Sequence, residues 1–492
     1  MKRKMVSGLL VLAMAATMLA GCGGSSSGDS ASGDSASADS GESTDAAAES
    51  DGGEAESDGA EADSSSGEKT TLTITYRDEG NGENNPLYKW LTESYESYPD
   101  KDSVDLDIQY ITASEGDYFA KVELALSSED TAPDIVCEDT FYLPSDVAAG
   151  YLTNLDDYVA SWDDWSNFYE NTKDAGAYDG SVYGIPYSGD TRGLIYNRAV
   201  LEEAGVIAEG EDWAPKNWDE ILDACKLIKE NTDSLPFWCN GGTVSGEATS
   251  MQTFEMIYYV TGEQLFEDGN WIVSSDKMKE SLEFIDTLYK EGYASEDYIY
   301  DTESSDNVVQ NYLPSGEIAI VLNGNWVFSN YKEDGSSPFE GYGEKLGFAA
   351  MPTQDGSGQG YVTMSGGWTL AIPEKADQKD AAWKFIEWAM SYDNYKKCVN
   401  YTGNLSTRSD MAEDEEYASS PFITEATELL EYSYYRPQTD EYSTITTYIP
   451  VMVEAVSSGS SSPEDAMAEY KQSVINALEN TYGTDNYLDK TE

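Results

Sequence analysis

From Leu72 to Cys137 the residue pattern switches repeatedly between a strand period and a helix period, and that order leaves few folds open. Leu72-Thr-Ile-Thr-Tyr76 alternates apolar and polar residues, as a half-buried strand does. Asn85-Pro86 then places proline at a first helical position, and Leu87, Trp90, Leu91, Ser94, Tyr95 and Tyr98 mark one helical face. Val104, Leu106, Ile108 and Tyr110 alternate again, and Phe119, Val122, Ala125 and Leu126 lie on one side of a second helix. Asp134-Ile-Val-Cys137 is a short apolar run of the kind found in buried parallel strands. Strand, helix, strand, helix, strand predicts a doubly wound α/β unit. In such sheets a ligand sits beyond the carboxyl ends of the strands, here at Tyr76-Arg77-Asp78-Glu79 and at Cys137-Glu138-Asp139.

The rest of the body continues in this style. Asn217 caps a predicted helix with Glu220 at the capping-box position, and Trp218, Ile221, Leu222, Cys225 and Ile228 fall on its inner face. Glu317 to Leu322, Leu346 to Ala350 and Trp368 to Ile372 read as strands. A buried helix with Trp383, Phe385, Ile386, Trp388 and Met390 follows, and a last helix opens at Ser462-Pro-Glu-Asp465. The glycines of Gly356-Ser-Gly-Gln-Gly360 read as turn residues, not as a phosphate cradle.

The N-terminal segment is different in kind. Lys2, Arg3 and Lys4 precede an apolar run, Met5 to Ala20, that is too short and too rich in small residues for a membrane span. It reads as a secretory signal over 1–21. Leu19-Ala-Gly-Cys22 resembles the lipobox of bacterial lipoproteins, which implies a lipid on Cys22 and anchoring at the outer face of the cell membrane. The alternative is an ordinary signal peptide with Cys22 incidental. Residues 22–68 form an acidic Gly/Ser/Ala stretch without aromatic, branched aliphatic or basic residues. Such a chain cannot bury enough apolar surface to offset the entropy of ordering, and is expected to be a solvated linker. A neutral chain of this length spans roughly 40 Å, and like charges extend it.

Composition narrows function further. The chain has no histidine, which removes Ser-His-Asp and Cys-His catalysis, HExxH zinc sites and most transition-metal sites. No catalytic residue, metal site or cofactor is expected. Asp78, Glu79, Asn81 and Glu83 only faintly suggest a calcium loop, because their spacing misses the EF-hand pattern. A formal net charge of −65 disfavours nucleic acid and anionic lipid as partners. Beyond Cys22 the cysteines are Cys137, Cys225, Cys239 and Cys398. Buried free thiols are the default for them, with Cys225–Cys239 a conceivable disulfide.

A set of motifs then appears in order. Asp179-Gly-Ser-Val-Tyr-Gly-Ile-Pro186 runs on to Gly193-Leu-Ile-Tyr-Asn197 and Ala204-Gly205. Pro215 to Glu220, Gly316 to Trp326, Gly366-Gly-Trp-Thr-Leu-Ala-Ile-Pro373 with Ala382-Trp-Lys-Phe-Ile386, and Gly403 to Arg408 follow. Together they resemble the family-1 extracellular solute-binding proteins of ABC importers, the group that includes maltose-type sugar binders. Asn217 stands where that family usually has Thr. The resemblance implies a type II periplasmic-binding-protein-like fold of two α/β lobes joined by hinge crossings, with the ligand between them. The first lobe would be 69–186 with 369–405, the second 188–366 with 408–492. It further implies a monomer that captures a sugar and delivers it to permease subunits.

Sugars need flat aromatic faces for their C–H groups and paired donors and acceptors for their hydroxyls. Trp326 and Trp368 each follow a Gly-rich turn at a strand end and are expected as stacking platforms. Glu138 and Asp139 sit where the family's third strand delivers polar contacts, with Asp139 the stronger hydroxyl acceptor. Asp190 and Tyr187 lie at the first crossing. Arg408 at the third is expected to donate to hydroxyls or to hold Asp139. Arg77, Asp78, Asn240 and Arg436 are weaker candidates. Three rival readings stay open: the same fold binding a polyamine or other cation, a glycosidase with a carboxylate pair, and a receptor that presents its ligand to a sensor.

Overall fold

The computed structural model describes residues 69–78, 80–113 and 115–491. The signal, Cys22 and the acidic linker lie outside the described residues. Strands β1 (Thr70–Asp78), β2 (Val104–Thr112) and β3 (Ile135–Asp139) alternate with helices α1 (Pro86–Glu96) and α2 (Glu115–Leu126). They are followed by β4 (Gly184–Pro186), β5 (Arg192–Asn197), helix α3 (Trp218–Asn231), β6 (Leu235–Trp238), β7 (Ile318–Gly324) and β8 (Leu346–Ala349). Strand β9 (Trp368–Ala371) precedes helices α4 (Lys379–Ala389), α5 (Tyr392–Thr402) and α6 (Pro463–Ala477).

Local chemistry accounts for the helix starts. Asn85 accepts a hydrogen bond from the Leu87 N–H, and Pro86 occupies the first turn, where its missing N–H costs nothing. Asn217 accepts from the Glu220 N–H at 2.9 Å, while the Glu220 carboxylate reaches back to the Lys216 N–H at 2.9 Å. The reciprocal bond therefore lands one residue earlier than a standard capping box. Ser462 caps α6 through the Asp465 N–H. The Asp78 carboxylate accepts from the N–H groups of Gly80, Asn81 and Gly82, from Asn85 and from Thr112. It organises a turn, and the faint calcium-loop reading is superseded.

The two largest sheets are mixed. One is five-stranded in the order β2-β1-β3-β9-β4, the other four-stranded in the order β8-β5-β7-β6. β1 pairs parallel with β2 and β3, whereas β9 runs antiparallel to β3 and β4. A strand from late in the chain thus closes the first sheet beside β3, with Trp368 opposite Asp139 and Thr369 opposite Glu138. Trp90 and Leu91 of α1 pack with Phe385 and Ile386 of α4 beneath this sheet. Ile221, Cys225 and Ile228 of α3 join Leu194, Ile320 and Leu322 of the second sheet in another core. Each fully buried side chain of this size contributes about 1.5–3 kcal/mol, so neither sheet depends on ion pairs to form.

The default expected for the thiols holds, and two other expectations are corrected. Cys225 and Cys239 are both free and buried, each held within the core, and they form no disulfide. Tyr187 is buried in the core of the first sheet, its ring 5.6 Å from that of Trp90. Arg408 is 1% exposed and does not hold Asp139. It pairs with Asp164 at 2.9 Å and Asp410 at 2.7 Å, donates to the Met390 carbonyl, and lies over the Phe168 ring. Burial pushes the Cys137 and Cys239 thiols up to about 12. Cys137, Cys225, Cys239 and Cys398 should therefore stay inert to a disulfide reagent at pH 8 and react together once guanidinium unfolds the protein. Rapid native-state labelling of any of them, read by mass spectrometry, would contradict this packing.

Candidate functional site

Beyond the carboxyl ends of β3 and β6 a chain of charged groups links the two sheets. Asp139 ends β3 and is 6% exposed; its Oδ1 accepts from the Phe141 N–H at 3.1 Å. The same oxygen accepts from Arg436 Nη2 at 2.7 Å, and Arg436 also donates to Thr140 Oγ1 at 3.0 Å. The other terminal nitrogen, Nη1, donates to Glu247 Oε1 at 3.2 Å. The guanidinium stacks over the Phe141 ring, 4.6 Å from its centroid. Glu247 lies just past β6, so Arg436 joins an acid from the first sheet to one from the second. A Cβ on Gly366 would stand 2.6 Å from Arg436 Nη2, and only glycine leaves the guanidinium room.

The chain continues through Tyr442. Its hydroxyl lies 2.6 Å from Glu255 Oε1 and 3.2 Å from Glu247 Oε1. One proton cannot serve both acceptors equally, and the shorter contact takes it. Glu255 belongs to a π-helical turn, Ser250–Glu255, a distortion that recurs at functional sites. It is fully buried and its Oε2 has no hydrogen-bond partner. Burial pushes Glu255 up to about 7, against the pull of Tyr442 and Arg436. Burial also pushes Glu247 up to about 7, with Arg436 opposing and Asp139 adding to the rise. Asp139 is raised by burial and held back by Arg436.

The remaining expected residues separate by strand parity. Glu138 points to the opposite face from Asp139. It is fully buried, with both carboxylate oxygens lacking a donor, and burial together with Asp146 holds it well above the carboxylate range. Asp190 pairs with Arg192 and accepts from the Gly366 N–H at 2.8 Å. Arg192 in turn lies over Trp326, 4.8 Å from the ring centroid. The Trp326 ring rests so closely on Gly324 that a Cβ there would sit 1.7 Å away. Trp368 is half-buried, nearly parallel to Phe119 at 6.0 Å and edge-on to Tyr118 at 5.9 Å. Asn240 is buried with its Oδ1 unpartnered. Arg77 donates to the Ala113 carbonyl at the end of β2.

Residues 91–425 match the bacterial extracellular solute-binding proteins. The chain belongs to that family. The lactose-binding protein of Rhizobium radiobacter is 26% identical over 328 residues, covering 64% of this chain and 71% of the relative. An ABC transporter solute-binding protein of Thermotoga lettingae, solved with α-D-tagatose, superposes with a TM-score of 0.71 at 24% identity, covering 83% of this chain and all of the other. The maltose-bound MalE3 of T. maritima gives 0.71 at 22% identity, covering 82% and 99%. The fold is the expected type II periplasmic-binding-protein architecture. The family is one of binding proteins, and the glycosidase reading is set aside.

Sequence reasoning missed Glu247, Glu255, Tyr442 and Arg192. In a chain with 93 Asp and Glu, two more acids carry no signal. The local signal near Glu247 is a cluster of glycines after β6, Gly241, Gly242 and Gly246. Removing the guanidinium has a defined cost. Arg436→Met leaves Asp139 facing Glu247 in a buried site and should lower stability by about 3–5 kcal/mol at pH 8, measured by urea unfolding. The loss should shrink at pH 5, where the acids can protonate. In the unaltered protein Glu247 and Glu255 hold protons that the unfolded chain releases, from an ordinary value of 4.5 up to about 7. The stability they contribute is full below 4.5, declines as pH rises towards 7 and is flat above. Glu255→Gln should flatten that decline in a Tm-versus-pH series; an unchanged slope would remove Glu255 as its source.

Proposed function

We propose that the protein captures a sugar or oligosaccharide between its two sheets, as a monomer, and delivers it to the permease of an ABC importer. The observation that carries this reading is the pairing of a braced, half-buried aromatic, Trp368, with the Asp139–Arg436–Glu247 chain next to it. A sugar presents an apolar C–H face and a polar rim, and this arrangement offers a surface for each. Family membership and the sugars bound by the lactose, tagatose and maltose relatives support the same class.

The lobes proposed are 69–186 with 369–405, and 188–366 with 408–492. In support, the Tyr187 N–H donates to the Trp368 carbonyl and Gly189 exchanges two backbone hydrogen bonds with Leu405, so the crossing segments run side by side. Closure about them would be a hinge motion that the bound ligand favours. Anchoring through a lipid on Cys22, with 23–68 as the tether, would keep the binding protein at high effective concentration near its permease. Labelling of the intact cell-expressed protein with a radioactive fatty acid, abolished by Cys22→Ala, tests the anchor.

A thermal-shift screen against mono- and oligosaccharides tests the function. A saccharide present at a hundred times its Kd should add about 2.7 kcal/mol of stability. Trp368→Ala should weaken that saccharide about tenfold or more, the cost of a lost aromatic anchor. Trp368→Ala with full affinity would displace the site.

A further inference from the structure

Resting on the two-lobe reading, we infer that Asn325 is the pivot of closure, a positioning residue that ties the first crossing to the third and both to the rim of the site. Asn325 directly follows β7 and is 3% exposed. Its Oδ1 accepts from the Thr191 N–H at 3.0 Å, and its own backbone N–H donates to the Thr191 carbonyl at 3.0 Å. Its Nδ2 donates to the Gly403 carbonyl at 3.1 Å. One side of the amide thus serves the first crossing as an acceptor and the other serves the third as a donor. Thr191 and Gly403 fall on opposite sides of the proposed lobe division.

The backbones of these crossings pair at Gly189 and Leu405, and Thr407 Oγ1 donates to the Pro186 carbonyl beyond them. Such contacts lay the segments side by side. An amide entering from a third element also fixes the angle between them, because it is planar and both partners must lie near its plane. Gly403 has a φ of +70°, and a Cβ on it would stand 2.8 Å from the Ser329 Cβ, so glycine is what lets this carbonyl reach the amide. On the site side, the next residue is Trp326, whose ring carries Arg192, and Arg192 holds Asp190. On the far side, Asn325 lines a small cavity with Phe328, Ser329, Val399, Gly403 and Phe422, which leaves the third crossing room to shift. A change of angle at Gly403 is therefore passed through Asn325 to the residues at the rim.

A near-isosteric substitution isolates the Gly403 bond. In Asn325→Asp the carboxylate still accepts from Thr191 but sets an oxygen against the Gly403 carbonyl. Once protonated, its O–H can donate to that carbonyl and restore both contacts. The titratable and charged groups around position 325 are Lys332, Tyr342 and Tyr417 of the same cavity, and Arg192 over the adjacent ring.

The test measures lobe separation by pulsed electron resonance between spin labels on Leu124→Cys and Val451→Cys. These positions are 74% and 56% exposed and lie in different proposed lobes. The full chain is used with Cys22→Ser, and the four other cysteines are buried. Compared with the unaltered hinge at the same pH, Asn325→Asp should broaden the distance distribution at pH 8 and match it at pH 5. Asn325→Leu keeps the volume without the bond and should stay broad at both, which also decides the matter if the carboxylate variant does not fold at pH 8. Maltose, lactose and tagatose are the affinity probes. Any that binds should bind Asn325→Asp about tenfold more weakly than the unaltered protein at pH 8, the scale of one lost buried hydrogen bond, and equally at pH 5. Distributions equal to the unaltered hinge for both variants overturn the inference. So does a broadening with Asn325→Asp that pH 5 does not reverse, since the Gly403 bond is then not its source. If a bound sugar leaves the distance in the unaltered protein unchanged, the two-lobe reading itself fails. If the distance responds and both variants follow it, only the role of Asn325 fails.

Discussion

Arg436 is a guanidinium buried where the two sheets meet, and the geometry of the junction follows from the need to satisfy it. A charge removed from water requires partners close enough to replace its hydration. Arg436 finds them in Asp139 from the end of β3 and Glu247 from the segment after β6, so one side chain sets the relation between elements more than a hundred positions apart in the chain. Its flat face is covered by Phe141, and the approach of its Nη2 is possible because Gly366 has no side chain. The glycine pair at 366–367 therefore does more than turn the chain into β9. It makes room for the cation beside the strand whose Trp368 lies in register with Asp139.

The acids around Arg436 outnumber what it can neutralise, and burial converts that surplus into weakly held protons. Glu247 and Glu255 are pushed up to about 7, within the range where extracytoplasmic pH varies. Tyr442 couples the two by standing between them with one hydroxyl proton. The junction is thus electrostatically soft: a small change in the field at either acid moves a proton instead of breaking the fold. Of these groups only the Tyr442 ring belongs to a hydrophobic core, and none of the charged ones does, which lets the junction carry poorly satisfied charge without endangering either half.

Much of the architecture was legible because short-range physics decides it. The alternation at Leu72–Tyr76 and Val104–Tyr110, the cap at Asn217 and the proline at 86 each specify a local structure, and each element forms where the pattern places it. Side-chain destinations were less legible. Tyr187 and Asp190 stand three residues apart at one crossing, yet one is core and the other meets Arg192. Glu138 and Asp139 are neighbours, and strand parity sends them to opposite faces. Sequence favours Arg408 over Arg436 as a site residue, but Arg408 is consumed by Asp164 and Asp410 while Arg436 reaches the junction. Pairings of this kind depend on elements distant in sequence, and an excess of acids hides which ones are chosen.

The two tryptophans expected as platforms show how context separates identical side chains. Trp326 rests on Gly324 on one side and has Arg192 above it, so its π face is already engaged by a cation held by Asp190. For a ligand to stack there it would have to compete with a cation–π contact strengthened by burial, about 2 kcal/mol or more when desolvated. Trp368 has no such competitor among its described ring contacts: Phe119 and Tyr118 brace it from the core and leave it half-buried. A braced ring loses little rotamer entropy when a ligand lands on it. On the saccharide reading, Trp368 is therefore the stacking surface, and Trp326 acts at one remove by fixing Arg192, and through it Asp190, at the rim of the acid-rich junction.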